Sequence, residues 1–175
     1  MAYYDILPTP LGDVFIGGSA QGIHRVEFID GDRNEAYYAA LLALDAAEPA
    51  LPAPRLAREA VEALRNYFEA RAFTFDMHLT PRGTLFQRMV WHALLDVAPG
   101  ETVSYGDIAR AIGQPTASRA VGQAVGHNPI AVVVPCHRIV GSSGALTGYA
   151  SGLDRKRWLL AHESAAHQRD RPRPC

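Results

Sequence analysis

Proline and glycine decide where regular structure can run in this chain. Proline lacks a backbone N–H and clashes with the preceding helical turn, while glycine opens turns and closes helices. They punctuate the first half so that Tyr3–Leu7, Asp13–Gly17 and Gly22–Phe28 read as short strands of a small antiparallel sheet. Residues from Asn34 to Leu44 are rich in alanine and leucine and are expected to be helical. Glu48-Pro49-Ala50-Leu51-Pro52-Ala53-Pro54 cannot continue that helix and reads as a connection. From Leu56 to Phe68 the apolar residues Leu56, Ala60, Val61, Leu64, Tyr67 and Phe68 recur at helical spacing, so a second helix is expected there. Phe73–Leu79 alternates as a strand does, and Thr80-Pro81-Arg82-Gly83 then breaks the pattern.

That break is read as a domain boundary, with one unit over 1–80, a second over 81–163 and a flexible tail over 164–175. In the second unit Thr84 caps a helix whose apolar face is Leu85, Phe86, Met89, Val90, Ala93, Leu94 and Val97, ended by Pro99-Gly100. Ser104 opens a short helix to about Ile112, and Gly113-Gln114-Pro115-Thr116 turns. Ala117 to Gly126 forms another helix with Thr116 as its cap, so the pair predicts a helix-turn-helix. The β-branched run Ile130–Val134 reads as a buried strand stopped at Pro135, and Asp154–Glu163 as the last helix. Charge supports the division. Residues 1–80 carry six Arg and no Lys against twelve Asp and Glu, a net of −6, whereas 81–175 carry eleven Lys and Arg against six acids, a net of +5. A basic second half suits a polyanion partner, although a charge count cannot locate a patch.

Of the 175 residues, 48% are hydrophobic and 20% charged, the composition of an ordinary globular protein. No apolar run approaches the roughly 20 residues needed to span a bilayer, and the N-terminus lacks the basic flank and apolar region of a signal peptide. The expectation is a soluble cytoplasmic protein with no membrane partner. Its two cysteines, Cys136 and Cys175, are too few for a disulfide scaffold or a cysteine-based zinc site. Cys136 lies in Pro135-Cys136-His137-Arg138, where an imidazole and a guanidinium flank the thiol. A nearby cation or base is expected to lower the thiol pKa from about 8.5 and favour the nucleophilic thiolate, with His137 the nearest candidate. Taken alone, a Cys-His pair is more often an inert core thiol beside a structural histidine.

The neighbouring segments change that balance. Pro135-Cys136-His137-Arg138-Ile139-Val140 resembles the signature of the O6-alkylguanine-DNA alkyltransferases, also called methylated-DNA–protein-cysteine methyltransferases. Similar segments, in matching order and spacing, are Gly83-Thr84-Leu85-Phe86-Gln87-Arg88, Ser104-Tyr105-Gly106-Asp107-Ile108-Ala109, Ser118-Arg119-Ala120-Val121-Gly122, Gly126-His127-Asn128-Pro129-Ile130, Thr147-Gly148-Tyr149 and Trp158-Leu159-Leu160-Ala161-His162-Glu163. The strong match covers about 83–163. The N-terminal part matches loosely, through Thr9-Pro10-Leu11-Gly12 and its order of elements.

The resemblance implies an α/β (α+β) fold, with a small ribonuclease-H-like N-terminal α/β domain and a winged-helix-like C-terminal domain carrying the helix-turn-helix. It implies DNA repair by direct damage reversal, in which an alkyl group moves from O6 of guanine onto Cys136 once per molecule with no cofactor. Glu163 would orient His137, which through a water takes the proton of Cys136. Tyr105 would donate toward guanine N3, and Asn128 would tie the helix-turn-helix to the active-site turn. The backbone N–H at Ala150 is implied to contact O6, the carbonyls of Cys136 and Ile139 to read the exocyclic amine, and Tyr149 to join the base contacts. Duplex DNA hides O6, so the nucleotide must be flipped out at a cost of a few kcal/mol. Arg119 would fill the gap, while Ser118, Ala120, Gly122 and Gln123 share a helix small-sided enough for the minor groove, about 6 Å wide.

Arg155-Lys156-Arg157 is either a further phosphate contact or a solvated helix face. Cys175 is read as a tail thiol without a role. Some relatives bear an N-terminal zinc site built with cysteines, but 1–80 contains none and His24 with His78 is insufficient, so no metal is expected. The expected partner is double-stranded DNA containing O6-alkylguanine, met by a monomer. A lesion sensor without transfer activity would lack Cys136, a cysteine hydrolase would not need the helix-turn-helix or Arg119, and the fused transcription regulators of this family carry a cysteine-rich module missing here.

Overall fold

The computed structural model describes residues 1–52 and 58–169. The chain divides into two compact units, Met1–Gly83 with Pro129–Val133 and Thr84–Asn128 with Val134–Cys175. Mixed α and β structure is present in both.

In the first unit, strands β1 (Ala2–Thr9), β2 (Gly12–Ser19) and β3 (Gly22–Phe28) form an antiparallel meander. Both turns are two-residue loops, and each returns at a glycine with positive φ, Gly12 at 103° and Gly22 at 137°. Helix α1 (Glu35–Ala46) starts where the Asn34 side chain accepts from Tyr37 N, and ends at Ala47 in the left-handed region. Ala2, Tyr4, Phe15, Tyr38 and Leu42 form a core on which Tyr4 and Phe15 stack at 4.9 Å. The helix comes close to the sheet because Gly17 has no side chain: a Cβ there would lie 2.7 Å from Leu42 Cδ2.

Two expectations fail in this unit. The proline-rich connection contains a strand, β4 (Ala50–Pro52), parallel to β1 at the sheet edge, giving the order β3-β2-β1-β4. Proline is tolerated there because an edge strand leaves one row of backbone groups unpaired. Its neighbours 53–57, including Pro54 and Leu56, lie outside the described residues, and helix α2 runs Arg58–Phe68. Phe73–Leu79 is not a strand. Phe73, Phe75, Met77 and Leu79 are half-buried and Thr74, Asp76 and His78 exposed, so the alternation is real, yet among the described residues the only pairing there is the Ile23↔Leu79 bridge. Period-two burial needs an extended chain over a core, here with Phe73 and Phe75 against Tyr67, and does not require a ladder.

In the second unit, helix α3 (Leu85–Leu95) begins at a capping box in which Gln87 N donates to Thr84 Oγ1 and Thr84 N to Gln87 Oε1. Its apolar face is Val90, Trp91 and Leu94, with the Trp91 indole donating to Ala124 O at 2.8 Å. Leu85, expected on that face, is exposed because it sits at the first helical position. Ser104 caps helix α4 (Tyr105–Ala111) with Asp107 in a second capping box. Helix α5 (Ser118–Gly126) follows, so the helix-turn-helix pair is present. Thr116 does not cap α5: Ala117 N donates to Gln114 O, which closes a turn around Pro115-Thr116, and Ala117 takes the cap position with no side-chain bond.

The run Ile130–Val134 is not a strand either. Among the described residues only Ile130 bridges, to Val26, after which Val133 N donates to Ala131 O across Val132 at φ 69°. Cys136 N then donates to Val134 O across Pro135 at φ −81°, ψ 61°. These are successive γ-turns, the first of the rare positive-φ kind. A single 3-10 turn holds Cys136–Arg138 and leads into β6 (Ile139–Val140), which pairs in parallel with β5 (Val103–Ser104). Helix α6 (Leu153–Arg169) runs beyond the expected end at Glu163 into the tail, since Ser164-Ala165-Ala166 contains nothing to stop it and the first proline is Pro172. Residues 170–175, with Cys175, lie outside the described residues.

Gly22 shows how tightly the β2–β3 turn is fixed, because a Cβ there would lie 2.5 Å from the His78 carbonyl oxygen at a φ that L-residues rarely adopt. Gly22→Ala is expected to lower the unfolding free energy by about 2 kcal/mol or more, measured by urea denaturation.

Candidate active site

The β5–β6 pairing brings two chemically distinct segments together. Val103 pairs with Ile139 and Ser104 with Val140, so the start of α4, at Tyr105, lies beside the strand that leaves the cysteine turn. Cys136 is 6% exposed and His137 is wholly buried. Asn128, just past the end of α5, donates its Nδ2 to Val134 O at 2.9 Å and to Cys136 Sγ at 3.1 Å. It therefore touches the thiol as well as the turn that carries it.

Glu163, on α6, is buried. Its carboxylate lies 2.7 Å from His137 Nε2 and accepts from Arg138 Nε and Nη2, each at 2.9 Å, and from Gly100 N at 3.2 Å. Arg138 Nη1 donates in addition to Val97 O. Burial alone would raise the Glu163 pKa, but the hydrogen bonds and charges of His137 and Arg138 outweigh it and hold the group far below the ordinary carboxylate range. An ionised carboxylate can only accept, so Nε2 of His137 carries the hydrogen. Burial pulls the His137 pKa down, partly countered by Glu163, and the neutral ring then presents the lone pair of Nδ1. Nδ1 is buried with no hydrogen-bond partner among the described residues.

The thiol behaves otherwise than its sequence neighbours suggest. Burial raises the Cys136 pKa, while the hydrogen bond from Asn128, the charge of Lys156 and the nearby Tyr149 side chain act against the rise. The resting group is a protonated thiol, because the flanking guanidinium is engaged by Glu163 and the flanking imidazole is neutral. Deprotonation requires a base, and Nδ1 of His137 is a base of suitable form.

A cavity of about 200 Å³ lies between α4–α5 and the loop before α6. Tyr105, Gly122, Val125 and Gly126 line one side and Gly148, Tyr149 and Ala150 the other. The Tyr105 ring lies against α5 at Gly122, where a Cβ would meet its ring carbons at 3.6 Å, an ordinary van der Waals contact. Tyr105 Oη accepts from Thr147 Oγ1 at 3.1 Å, which leaves its own proton available. Ile139 is fully buried in β6, and its N–H donates to Cys136 O. Arg119, Ala120 and Gln123 share an exposed face of α5, with Ser118 half-buried at its start.

Sequence reasoning left two residues without a part. Arg138 was only a flanking charge, and its pairing with Glu163 across 25 residues carries no local signal. Lys156 was read within a basic triplet on a solvated or phosphate-binding face, but it is fully buried. Its Nζ donates to Thr147 O at 2.7 Å and Gly148 O at 3.3 Å. Helical spacing explains this placement, since Lys156, Leu159 and Glu163 succeed one another at three and four residues on the buried face of α6. Among the described residues no cluster of three or more His, Cys, Asp or Glu could hold a metal ion, and no helix is long and apolar enough to cross a membrane.

Comparison with known proteins agrees with this geometry. The domain family described as 6-O-methylguanine DNA methyltransferase, DNA binding domain, matches residues 85–165. The methylated-DNA–protein-cysteine methyltransferase of Methanosarcina acetivorans is 42% identical over 163 residues, covering 93% of this chain and 99% of that protein. The crystal structure of Mycobacterium tuberculosis O6-methylguanine methyltransferase superposes with a TM-score of 0.82 at 40% identity, covering 99% of this chain and 97% of the other. The M. tuberculosis protein in complex with DNA gives 0.81 at 40% identity, with 94% of each chain covered. With the buried Cys136 held by Asn128, His137 paired to Glu163 and identity of this order along nearly the whole length, the chain belongs to the methylated-DNA–protein-cysteine methyltransferase family.

Proposed function

We propose that the protein repairs O6-alkylguanine in duplex DNA by transferring the alkyl group irreversibly to Cys136, once per molecule. The observation that carries this reading is a buried protonated thiol next in sequence to a neutral histidine whose Nε2 is fixed on an ionised Glu163 and whose Nδ1 has no hydrogen-bond partner among the described residues. In this mechanism the thiol proton passes through a water to His137 Nδ1, and Glu163 stabilises the imidazolium that forms. The thiolate, held by Asn128 Nδ2, attacks the alkyl carbon as the C–O6 bond breaks, and the electron pair stays on the base. Tyr105 gives its hydroxyl proton toward guanine N3, which makes the base a better leaving group. Once the imidazolium returns the thiol's proton through water to the Tyr105 phenolate, sulfur has gained the alkyl group and the base a proton, so the balance closes without a co-reactant.

The base would occupy the cavity beside Tyr105, with the Ala150 N–H on O6, Tyr149 along its edge, and the carbonyls of Cys136 and Ile139 on the exocyclic amine. Arg119, exposed on α5, would take the place of the flipped nucleotide. Ser118, Ala120 and Gly122 keep the same helix narrow enough for the minor groove, where Gln123 would join the DNA contacts and readout of sequence is degenerate. We read the protein as a cytoplasmic monomer. Residues 81–163 do the chemistry, and 1–80 form a supporting α/β unit with the ribonuclease-H-like pattern.

Intact mass after incubation with a duplex containing O6-methylguanine is expected to rise by one CH2 unit, saturate at one per molecule and map to Cys136. Cys136→Ser should bind the duplex without gaining mass, and transfer by that variant would defeat the assignment. Repeated turnover without modification would indicate a hydrolase, and tight binding with no change in mass a lesion sensor.

Arg119→Ala is expected to slow repair of duplex DNA about tenfold or more, in line with an unstacking cost of a few kcal/mol, while reaction with free O6-methylguanine is kept. Equal loss on both substrates would place Arg119 in the fold.

Glu163→Gln would leave the Arg138 charge buried without its counter-ion, so stability should fall by about 3–5 kcal/mol in denaturant titrations. The pH dependence has a defined sign. His137, depressed in the folded state, costs stability as pH drops below its unfolded value of about 6.5, and Glu163, also depressed, costs more below about 4.3. The second loss should vanish in Glu163→Gln, leaving a shallower acid limb; an unchanged limb would contradict the ionised state of Glu163.

A further inference from the structure

Lysine is almost never fully buried unless paired, yet Lys156 has no exposed surface at the centre of Arg155-Lys156-Arg157. Its neighbour Arg157 is at the surface, paired with Asp154 at 2.7 Å. Lys156 Nζ instead reaches back across a helical turn to Thr147 O and Gly148 O, in the loop that walls the cavity. Carbonyl oxygens satisfy its hydrogens but are dipoles, not counter-charges. Its charge acts on the Cys136 thiol, whose pKa it lowers, and a Cys136 thiolate would in turn favour the ammonium. The loop held by Lys156 also touches Tyr105, through the donation from Thr147 Oγ1.

We propose that Lys156 is a positioning residue for alkyl transfer: its ammonium pins the Thr147–Gly148 backbone so that Thr147 Oγ1 holds the Tyr105 hydroxyl, and it is the counter-charge of the Cys136 thiolate formed during attack. The inference rests on the reading of Cys136 as the alkyl acceptor and Tyr105 as the proton donor.

One buried cation then serves both ends of the bond that breaks. On the nucleophile side it opposes the effect of burial on the thiol. The groups facing Cys136 are Lys156 from α6, the Asn128 amide after α5 and the Tyr149 hydroxyl from the loop. The adjacent His137 faces Glu163 and Lys156, both on α6, and Arg138 from its own turn. Lys156 therefore lowers the proton affinity of thiol and imidazole together, and its removal raises both. A raised thiol pKa and a raised imidazole pKa both move the acidic limb of the rate to higher pH, because transfer needs the thiol ionised and the ring free to accept a proton. On the leaving-group side, the fixed carbonyl of Thr147 sets where its side chain meets Tyr105. Without the hydroxyl the phenol loses a donor that holds its oxygen while leaving its proton free.

The test measures single-turnover transfer from a duplex containing O6-methylguanine between pH 5 and 9, together with the melting temperature, for the wild type and for Lys156→Met, Lys156→Arg and Thr147→Val. Lys156→Met is expected to transfer about tenfold more slowly at pH 7, with its acidic limb about one pH unit higher and the deficit narrowing in alkali. Lys156→Arg should restore part of the rate by returning the charge. Thr147→Val, at an exposed position, should melt as the wild type does and keep its pH profile, but transfer several-fold more slowly. A Lys156→Met rate within twofold of the wild type at pH 7, or a loss equal at every pH, would overturn the counter-charge role. If Lys156→Met fails to fold, Lys156→Arg and Thr147→Val decide, and a Thr147→Val rate equal to the wild type would overturn the link to Tyr105. Failure of the wild type to gain mass on Cys136 would defeat the underlying reading instead, so the two failures are distinct.

Discussion

The site depends on one carboxylate. Glu163 accepts from the His137 ring, from two nitrogens of Arg138 and from the backbone N–H of Gly100, so a single buried anion joins α6, the cysteine turn and the segment after α3. Each donor alone would offset little of the cost of burying the charge; together they satisfy it, and the depressed pKa expresses that surplus. Two consequences follow for the chemistry. The ionised oxygens assign the histidine tautomer, and Arg138 is held on Glu163 rather than on the thiol. The cysteine consequently rests protonated, with Asn128 donating to its sulfur.

Local rules recovered the elements whose causes are local. Thr84 and Ser104 cap their helices with a partner three residues on, and the Asn34 cap follows the same logic; such bonds close within one turn and leave a mark in sequence. Elements that depend on distant partners were lost. β4 exists because β1 offers an edge, and β5 and β6 are two residues each, too short for any period to show. The alternation of Phe73–Leu79 was read as a ladder because sequence reports burial and not hydrogen bonding.

The site was legible in the same uneven way. Cys136, His137, Asn128, Glu163, Tyr105, Tyr149 and Ala150 were nameable through family resemblance, and the structure joins them in two groups, one around the sulfur and one around the cavity. Lys156 was hidden by its own neighbours, since a basic triplet predicts solvent and only helical phase separates the middle member from the other two. Arg138 was hidden by sequence distance. The run Ile130–Val134 misled because its burial is genuine. Its N–H groups are satisfied partly by γ-turns that bond two residues apart, and one of them holds a β-branched valine at positive φ. That conformation costs of order 1–3 kcal/mol and persists only where surrounding contacts fix it. A straight strand through Val134 would remove the bends from which the cysteine turn begins.

The raised thiol pKa suits a protein consumed by its own reaction. A thiolate is open to oxidation and to any passing electrophile, whereas a thiol kept neutral by burial is far less so. A catalyst regenerated each cycle can tolerate losses that a single-use reagent cannot. In the proposed mechanism readiness is separate from reactivity: Asn128, Tyr149 and Lys156 favour the anion, burial disfavours it, and the proton would leave toward His137, a ring kept neutral by burial and held by Glu163. On this account the groups that stabilise charge at sulfur serve the transition state more than the resting state, because only in the transition state is the charge there to be stabilised. Their arrangement before any substrate arrives is the preorganisation that lets a neutral cysteine act as a nucleophile once.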